Sequence, residues 1–187
     1  MDPSRFFDDY FELYRQSIFE HDVKGQLEQL YDLMRTTSSK KRKVLIAGNG
    51  GSAAIAAHCA VDLSKNAKIR SVNFGDASLV TCLANDYGYE HWLEKALEIY
   101  SDSGDIVILI SSSGKSPNVV KAADYAKNQG HPLITFTGFD ENNPLKERGD
   151  LNFWVKSRAY NIVEMTHHIW ILAVCDLIIG KAEYAAS

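Results

Sequence analysis

The sequence predicts an α/β fold: a doubly wound, five-stranded parallel sheet in the order 2-1-3-4-5, preceded by N-terminal helices. Three observations carry this. Short apolar runs alternate along the chain with stretches of helical periodicity, the pattern of repeated strand–helix–strand units. Two of those runs, residues 44–47 and 105–110, end in small polar loops that open directly into helical patterns. Right-handed crossovers then allow the order in which strands one and three are neighbours and the chain reverses direction between them.

The elements follow in order. Residues 4–34 are helical by pattern, with apolar positions Phe7, Tyr10, Phe11, Tyr14 and Ile18, then Leu27, Leu30, Tyr31 and Met34. A bend is expected near His21 and Asp22. The aromatic content exceeds what one side of a single domain needs, so a helical bundle shared with partner subunits is expected, packing on its own sheet being the plainer reading. Strand one, residues 44–47, follows the basic cluster 40–43, and the turn Gly48-Asn49-Gly50-Gly51 leads into a helix from Ser52 to Lys65 with Ser52 as N-cap. A short strand over 69–74 ends at Gly75-Asp76, and residues 77–84 read as a short helix. Residues 85–89, Asn-Asp-Tyr-Gly-Tyr, read as a polar, aromatic turn before a helix over 90–100. Strand three spans 105–110, and its helix, 116–129, is stopped by Gly130. Strand four spans 132–137, residues 140–148 form a loop with at most a turn of helix, and strand five spans 151–155. The last helix covers 162–179 and stops at Gly180. Residues 1–187 read as one domain without repeat, linker or low-complexity segment.

Composition narrows the function classes. A chain of 187 residues with 45% hydrophobic residues supports one full core. A net charge of -4 without a basic stripe argues against nucleic acid as the ligand. Cys59, Cys82 and Cys175 lie in apolar helical context without metal-type pairing, which suggests reduced core thiols in a cytoplasmic protein. Residues 1–5 lack the apolar region of a signal peptide, and the strongest apolar run, 169–175, is cut by Asp176 and too short to span a bilayer. No membrane partner is expected.

The two loops carry the chemistry. Glycines at 48, 50 and 51 let the backbone bend sharply and approach a ligand, and the free N–H groups of the helix behind favour an anion. Gly48-x-Gly50-x-x-Ala53 also fits a loose dinucleotide fingerprint. The second loop is Ser111-Ser112-Ser113-Gly114-Lys115-Ser116-Pro117-Asn118. Its hydroxyls and amides at a second helix N-terminus suit a phosphate monoester, which accepts many short hydrogen bonds. A flexible loop with capping serines is the ordinary alternative. It loses ground because both loops fall at the same topological place and open into one crevice at the switch point.

With both loops placed, the chain resembles a sugar isomerase (SIS) domain with flavodoxin-like strand order, and within that group the sedoheptulose 7-phosphate (phosphoheptose) isomerases. The carrying residues are Gly48-Asn-Gly-Gly-Ser52, His58, Ala84-Asn-Asp-Tyr-Gly-Tyr89, the serine loop through Asn118, and Thr135-Phe-Thr-Gly138. The resemblance implies a homotetramer with sites shared between subunits. It implies a phosphosugar held by Ser111, Ser112, Ser113 and Ser116, with Asn49, Gly50, Gly51, Ser52 and Asp86 near the sugar. Departures are visible. The family's His and Glu on the helix after the first loop are here His58 and Asp62, one methylene shorter. Aligned on Glu164, the family's Asp, Gln and His on the last helix are Tyr160, Val163 and Ile171. Where the family binds zinc these residues are its ligands, so only His58 and Asp62 remain as candidates and zinc is doubtful.

Positions 163, 167 and 171 share one helix face, which puts His167 in the middle of it, and His168 points about 100° away. A satisfied, partly buried histidine is the plain alternative for His167, and a solvated carboxylate for Asp62. An aldose–ketose isomerisation needs a base on the carbon acid and an acid on the carbonyl side, and Asp62 with His167 is the expected pair, with His58 orienting Asp62 or joining a metal. Two other readings stay open: a non-catalytic phosphosugar-binding or protein-binding SIS module, favoured by the missing Gln and His, and a dinucleotide enzyme, which the serine loop disfavours.

Overall fold

The computed structural model describes residues 2–20 and 22–184. Its centre is built from three mostly apolar runs that are buried along their whole length. β1 (Val44–Gly48), β3 (Ile106–Ser111) and β4 (Leu133–Thr137) are buried at every residue, as parallel strands covered on both faces must be. β2 (Ser71–Asn73) and β5 (Leu151–Trp154) are the half-buried edges. All pairings are parallel and the order is β2-β1-β3-β4-β5, as predicted. Gly48 pairs with Ile110, so both loops leave the sheet side by side at its carboxyl edge.

The pleat divides the core. Val44, Ile46, Ile108, Ile110, Ile134 and Phe136 face α2 (Lys24–Ser39), α3 (Gly50–Lys65) and α8 (Tyr160–Ile179). Leu45, Ala47, Val107, Leu109 and Leu133 face α4 (Ala77–Tyr87), α5 (Trp92–Tyr100) and α6 (Pro117–Asn128), with Leu145 of α7 (Pro144–Arg148). α1 (Pro3–Phe19) lies against α8. The expected bend falls between α1 and α2; His21 itself lies outside the described residues. α8 is long and apolar enough to cross a membrane by length and composition, but Ile162, Val163, Trp170, Ile171 and Val174 bury one side of it in the core. Gly180 ends it at φ +88, giving its N–H to the Asp176 and Leu177 carbonyls.

Three local expectations need correction. Asn49, not Ser52, is the N-cap of α3, because Gly50 takes φ +52 and lets the helix start two residues earlier; Ser52 is buried inside the first turn. α4 runs on through Asn85, Asp86 and Tyr87 until Gly88 at φ +86, so the first three residues of the turn expected over 85–89 are the last turn of a helix. That helix is anchored at its start by Asp76, whose carboxylate accepts the Leu79 N–H at 3.0 Å. Cys59 and Cys175 are buried thiols, but Cys82 is exposed on the outer face of α4.

Candidate active site

The two loops are locked together and propped from behind. Asn49 and Asn118 exchange two amide hydrogen bonds of 2.9 Å, which tie the glycine turn to the start of α6. Gly114 takes φ +63, donates to the Ser111 carbonyl and accepts from the Leu145 N–H at 3.1 Å. A Cβ there would overlap Asn143, whose side chain caps α7 by accepting the Lys146 N–H at 2.9 Å. On the other side Gly138 donates to the Ser112 carbonyl at 3.0 Å and leaves room for Val163. The serine loop is therefore fixed by its neighbours before any ligand arrives, the condition for low-cost binding.

The loops enclose a cavity of about 300 Å³ lined by Asn49, Gly50, Gly51, Ser52, Ile110, Ser111, Ser112, Ser113, Ser116, Tyr160 and Glu164. The Ser111 and Ser116 hydroxyls are 3.4 Å apart, and Ser113 Oγ accepts the Lys115 N–H at 3.2 Å. Ser112 is 4% exposed and its hydroxyl has no partner among the described residues. A buried hydroxyl left open in a polar cavity is a place for a ligand oxygen. Glu164 enters from α8 and lies over Gly51, where any Cβ would overlap the carboxylate. Burial raises its carboxyl above the usual range. Sequence reasoning missed Glu164, using it only as an alignment anchor. The signal available was a carboxylate in the second turn of the last helix, at the carboxyl edge of a parallel sheet.

The expected catalytic pair is placed elsewhere. His167 does lie on the inward face, but inward is the core. It is 0% exposed, its Nε2 is 2.9 Å from the Thr137 carbonyl, and its ring stands edge-on to Phe136. A carbonyl accepts only, so the geometry assigns the proton to Nε2. Burial pushes its pKa down to about 4, and it does not line the cavity. Asp62 is eleven residues beyond Gly51 on α3, about 16 Å along the axis. Its Oδ2 is 3.3 Å from His58 Nε2 and its Oδ1 accepts from Asn66 at 3.0 Å. His168 meets His58 edge to face with ring centroids 4.7 Å apart, and its buried Nε2 has no partner among the described residues. Burial and the His58 charge lower its pKa. Glu164 and His168 are one turn apart on α8, facing Gly51 and His58, so a polar seam leaves the cavity between α3 and α8. Asp86 sits outside the cavity in the last turn of α4, exposed, beside Asn85 Nδ2 at 2.9 Å.

Two of the positions at which the family holds its metal carry no donor here. Val163 packs on Gly138 and Ile171 is fully buried in the core, so neither position presents a donor. Among the described residues no group of three or more His, Cys, Asp or Glu side chains is arranged to hold a metal ion. The residues present do not fit the family's zinc site. On the far side of the glycine turn a second cavity, about 200 Å³, is lined largely by Ile46, Phe74, Val80, Tyr89 and Trp92, with neither carboxylate nor histidine among its described lining residues. Of the two cavities, the serine cavity is the one with a carboxylate, Glu164, among its described lining residues.

Comparison with known proteins agrees with this geometry. The SIS domain family matches residues 6–138. The phosphoheptose isomerase of Fusobacterium nucleatum is 35% identical over 162 residues, which span 84% of this chain and 83% of that protein. That of Campylobacter concisus is 32% identical over 174 residues, 89% of this chain and 92% of the relative. The structure of the Neisseria gonorrhoeae phosphoheptose isomerase superposes with a TM-score of 0.83 at 28% identity, covering 94% of this chain and 95% of the other. The Francisella tularensis phosphoheptose isomerase shares the fold at TM-score 0.88 and 24% identity, over 97% and 100% of the two chains. The chain belongs to the SIS domain family, among the phosphoheptose isomerases.

Proposed function

We propose that this protein is a phosphosugar isomerase that interconverts sedoheptulose 7-phosphate and an aldoheptose 7-phosphate, and so feeds heptose synthesis. The observation that carries the reading is one cavity holding both a prebuilt hydroxyl-rich anion loop, with Ser112 unpartnered among the described residues, and a carboxyl raised by burial, Glu164. The serine loop takes the phosphate through neutral donors, and that remote binding energy fixes the sugar for reaction. Glu164 removes a proton from the carbon next to the carbonyl, giving an enediol, and returns it to the neighbouring carbon. The hydroxyl proton moves the same way, from the oxygen on the deprotonated carbon to the former carbonyl oxygen, so no external oxidant or reductant is needed. A carboxyl raised above the ordinary range is a stronger base when ionised and so better suited to take up the proton and return it.

His167 enters as a positioning residue, holding the end of β4 through the Thr137 carbonyl, directly before Gly138 and the serine loop it supports. Asp62 and His58 lie further along the seam, and Asp62→Asn in the same assay reads their share. Exposed Phe6, Phe7, Phe11 and Phe19 on α1 support a homo-oligomer, with the family's tetramer as the form expected, in the cytoplasm. The test is turnover of sedoheptulose 7-phosphate by the wild type and Glu164→Gln, with and without chelator. Turnover insensitive to chelator, and a loss of about 100- to 10,000-fold in Glu164→Gln, are expected. A second reading, a non-catalytic phosphosugar-binding module, is favoured by the apolar Val163 and Ile171. It takes over if the wild type binds phosphosugar without turning it over.

A further inference from the structure

The wall of the serine cavity contains a carboxylate and no cation: no Lys, Arg or His is among its described lining residues. A phosphate dianion seated there would face Glu164 and be held by hydroxyls and amides alone. Two cations nevertheless flank it in the chain. Lys115 stands within the serine loop between Ser113 and Ser116, and Arg158 stands two residues before Tyr160 at the opposite wall. Both are turned onto one carboxylate. Asp140 Oδ2 is 2.7 Å from Lys115 Nζ, and Asp140 Oδ1 is paired with an Arg158 guanidinium nitrogen. The Asp140 carbonyl also accepts from the Asn143 side chain at 2.9 Å, the residue that props Gly114, so Asp140 is fixed to the back of the loop.

We propose that Asp140 is an internal competitor for the phosphate, holding Lys115 and Arg158 at the rim of the cavity until a phosphate dianion draws them over, and that Lys115 is the residue that makes the site select dianionic esters. This rests on the phosphate-binding reading of the serine loop. Charge and mobility support it. The Lys115 and Arg158 side chains are 55% and 77% exposed while Asp140 is 34% exposed, so the carboxylate is the fixed partner and the cations are the movable ones. An exposed ion pair is worth little, so exchanging it for a doubly charged ligand is cheap. Lys115 directly precedes Ser116 and follows Ser113 by two residues, and a lysine stem is long enough to swing from the outer to the inner side of its own loop. The two cations offset one carboxylate, leaving a net single positive charge that opposes Glu164. A monoanionic or neutral ligand gains less from it than a dianion does.

The experiment is calorimetric titration with inorganic phosphate at low and at physiological salt. Lys115→Gln should bind about three- to tenfold more weakly than the wild type, as expected when one charge-assisted hydrogen bond is removed. Asp140→Asn should bind about threefold more tightly at low salt, with the gain shrinking as salt screens the freed cations. Asp140→Glu, which keeps the carboxylate, should resemble the wild type. If Asp140→Asn binds phosphate as the wild type does, or more weakly, Asp140 merely orders the loop and the proposal is overturned. Unchanged affinity in Lys115→Gln overturns it as well. Phosphate binding that is intact in every variant leaves the serine-loop reading standing and removes only this inference; wild type that binds no phosphate overturns both.

Discussion

Glu164 and His167 are three residues apart on α8, and burial favours the neutral form of each, raising one pKa and lowering the other. Glu164 is at the cavity, with a carboxyl raised by burial. The acid limb of kcat/KM should therefore lie above the ordinary carboxylate range, because the base must be ionised to act, and Glu164→Gln should remove that limb together with the activity. A pH–rate profile with its acid limb at an ordinary carboxylate value would speak against Glu164 as the base. His167 is in the core, with its pKa pushed down to about 4 from 6.5. The sign follows from the protons bound. Between these values the unfolded chain carries a proton on this histidine and the folded one does not. Stability is complete above about 6.5 and falls as pH drops toward 4, by up to roughly 3 kcal/mol at the low end. His167→Gln keeps a donor for the Thr137 carbonyl and cannot titrate, so its stability should fall less over that window. Urea midpoints at pH 7 and pH 4.5 for both proteins measure the difference; equal losses would show that other groups, His168 first among them, govern the acid limb.

At the scale of elements, the strands and both loops are legible in the sequence because their signals are local: buried parallel strands are mostly apolar runs, and glycines and serines punctuate them. What escapes is set by packing. The N-cap of α3 falls at Asn49 because Gly50 can take a positive φ, and no residue type announces that choice. The pattern ends α4 three residues early because Asn85 and Asp86 favour turns, yet the helix continues to Gly88. The helical period puts His167 on the inward face correctly, but periodicity cannot separate a face that meets the core from one that meets a cavity. That depends on Phe136 and the Thr137 carbonyl, about thirty residues away. The serine loop, read directly from its residues, gives the prediction that belongs here. Ser113→Ala and Ser116→Ala should each weaken phosphosugar binding by roughly 1–3 kcal/mol, the cost of one hydrogen bond to a charged group. The loop is held mainly by Gly114, Asn143 and Gly138, and the hydroxyls add only the 3.2 Å Lys115 N–H to Ser113 bond and the 3.4 Å Ser111–Ser116 contact, so both variants should stay close to the wild-type melting temperature. Calorimetry with unchanged affinity in both would place the phosphate elsewhere.

At the scale of the whole molecule, the feature behind the proposed homo-oligomer is α1. The helix is aromatic along its length: Phe6 stacks on Tyr10, Phe7 on Phe11, and Tyr10 meets Tyr14. Packing on α8 consumes only part of this surface. Phe7, Phe11 and Phe19 remain 54%, 63% and 76% exposed, and Tyr160, Ile169 and Leu177 of α8 are exposed as well. Single exposed apolar residues are ordinary, but a row of them on neighbouring helices is the mark of an interface. The proposed occupant is a second copy of the chain, since the same stripe on two copies can be self-complementary across a two-fold axis. The expected result in light scattering is a mass that is a multiple of 20.9 kDa, four-fold for the tetramer. Phe7→Ser with Phe11→Ser should shift that mass downward without unfolding the sheet, because neither side chain belongs to either core cluster. The activity of the dissociated variant then carries a second answer. Tyr160 lines the serine cavity and is itself 61% exposed, so a partner that covers α8 also reaches the mouth of the site. Loss of turnover in parallel with loss of mass would make assembly part of the active site. A wild type that stays at 20.9 kDa at micromolar concentration would remove the oligomer, and with it the account given of the exposed aromatic face.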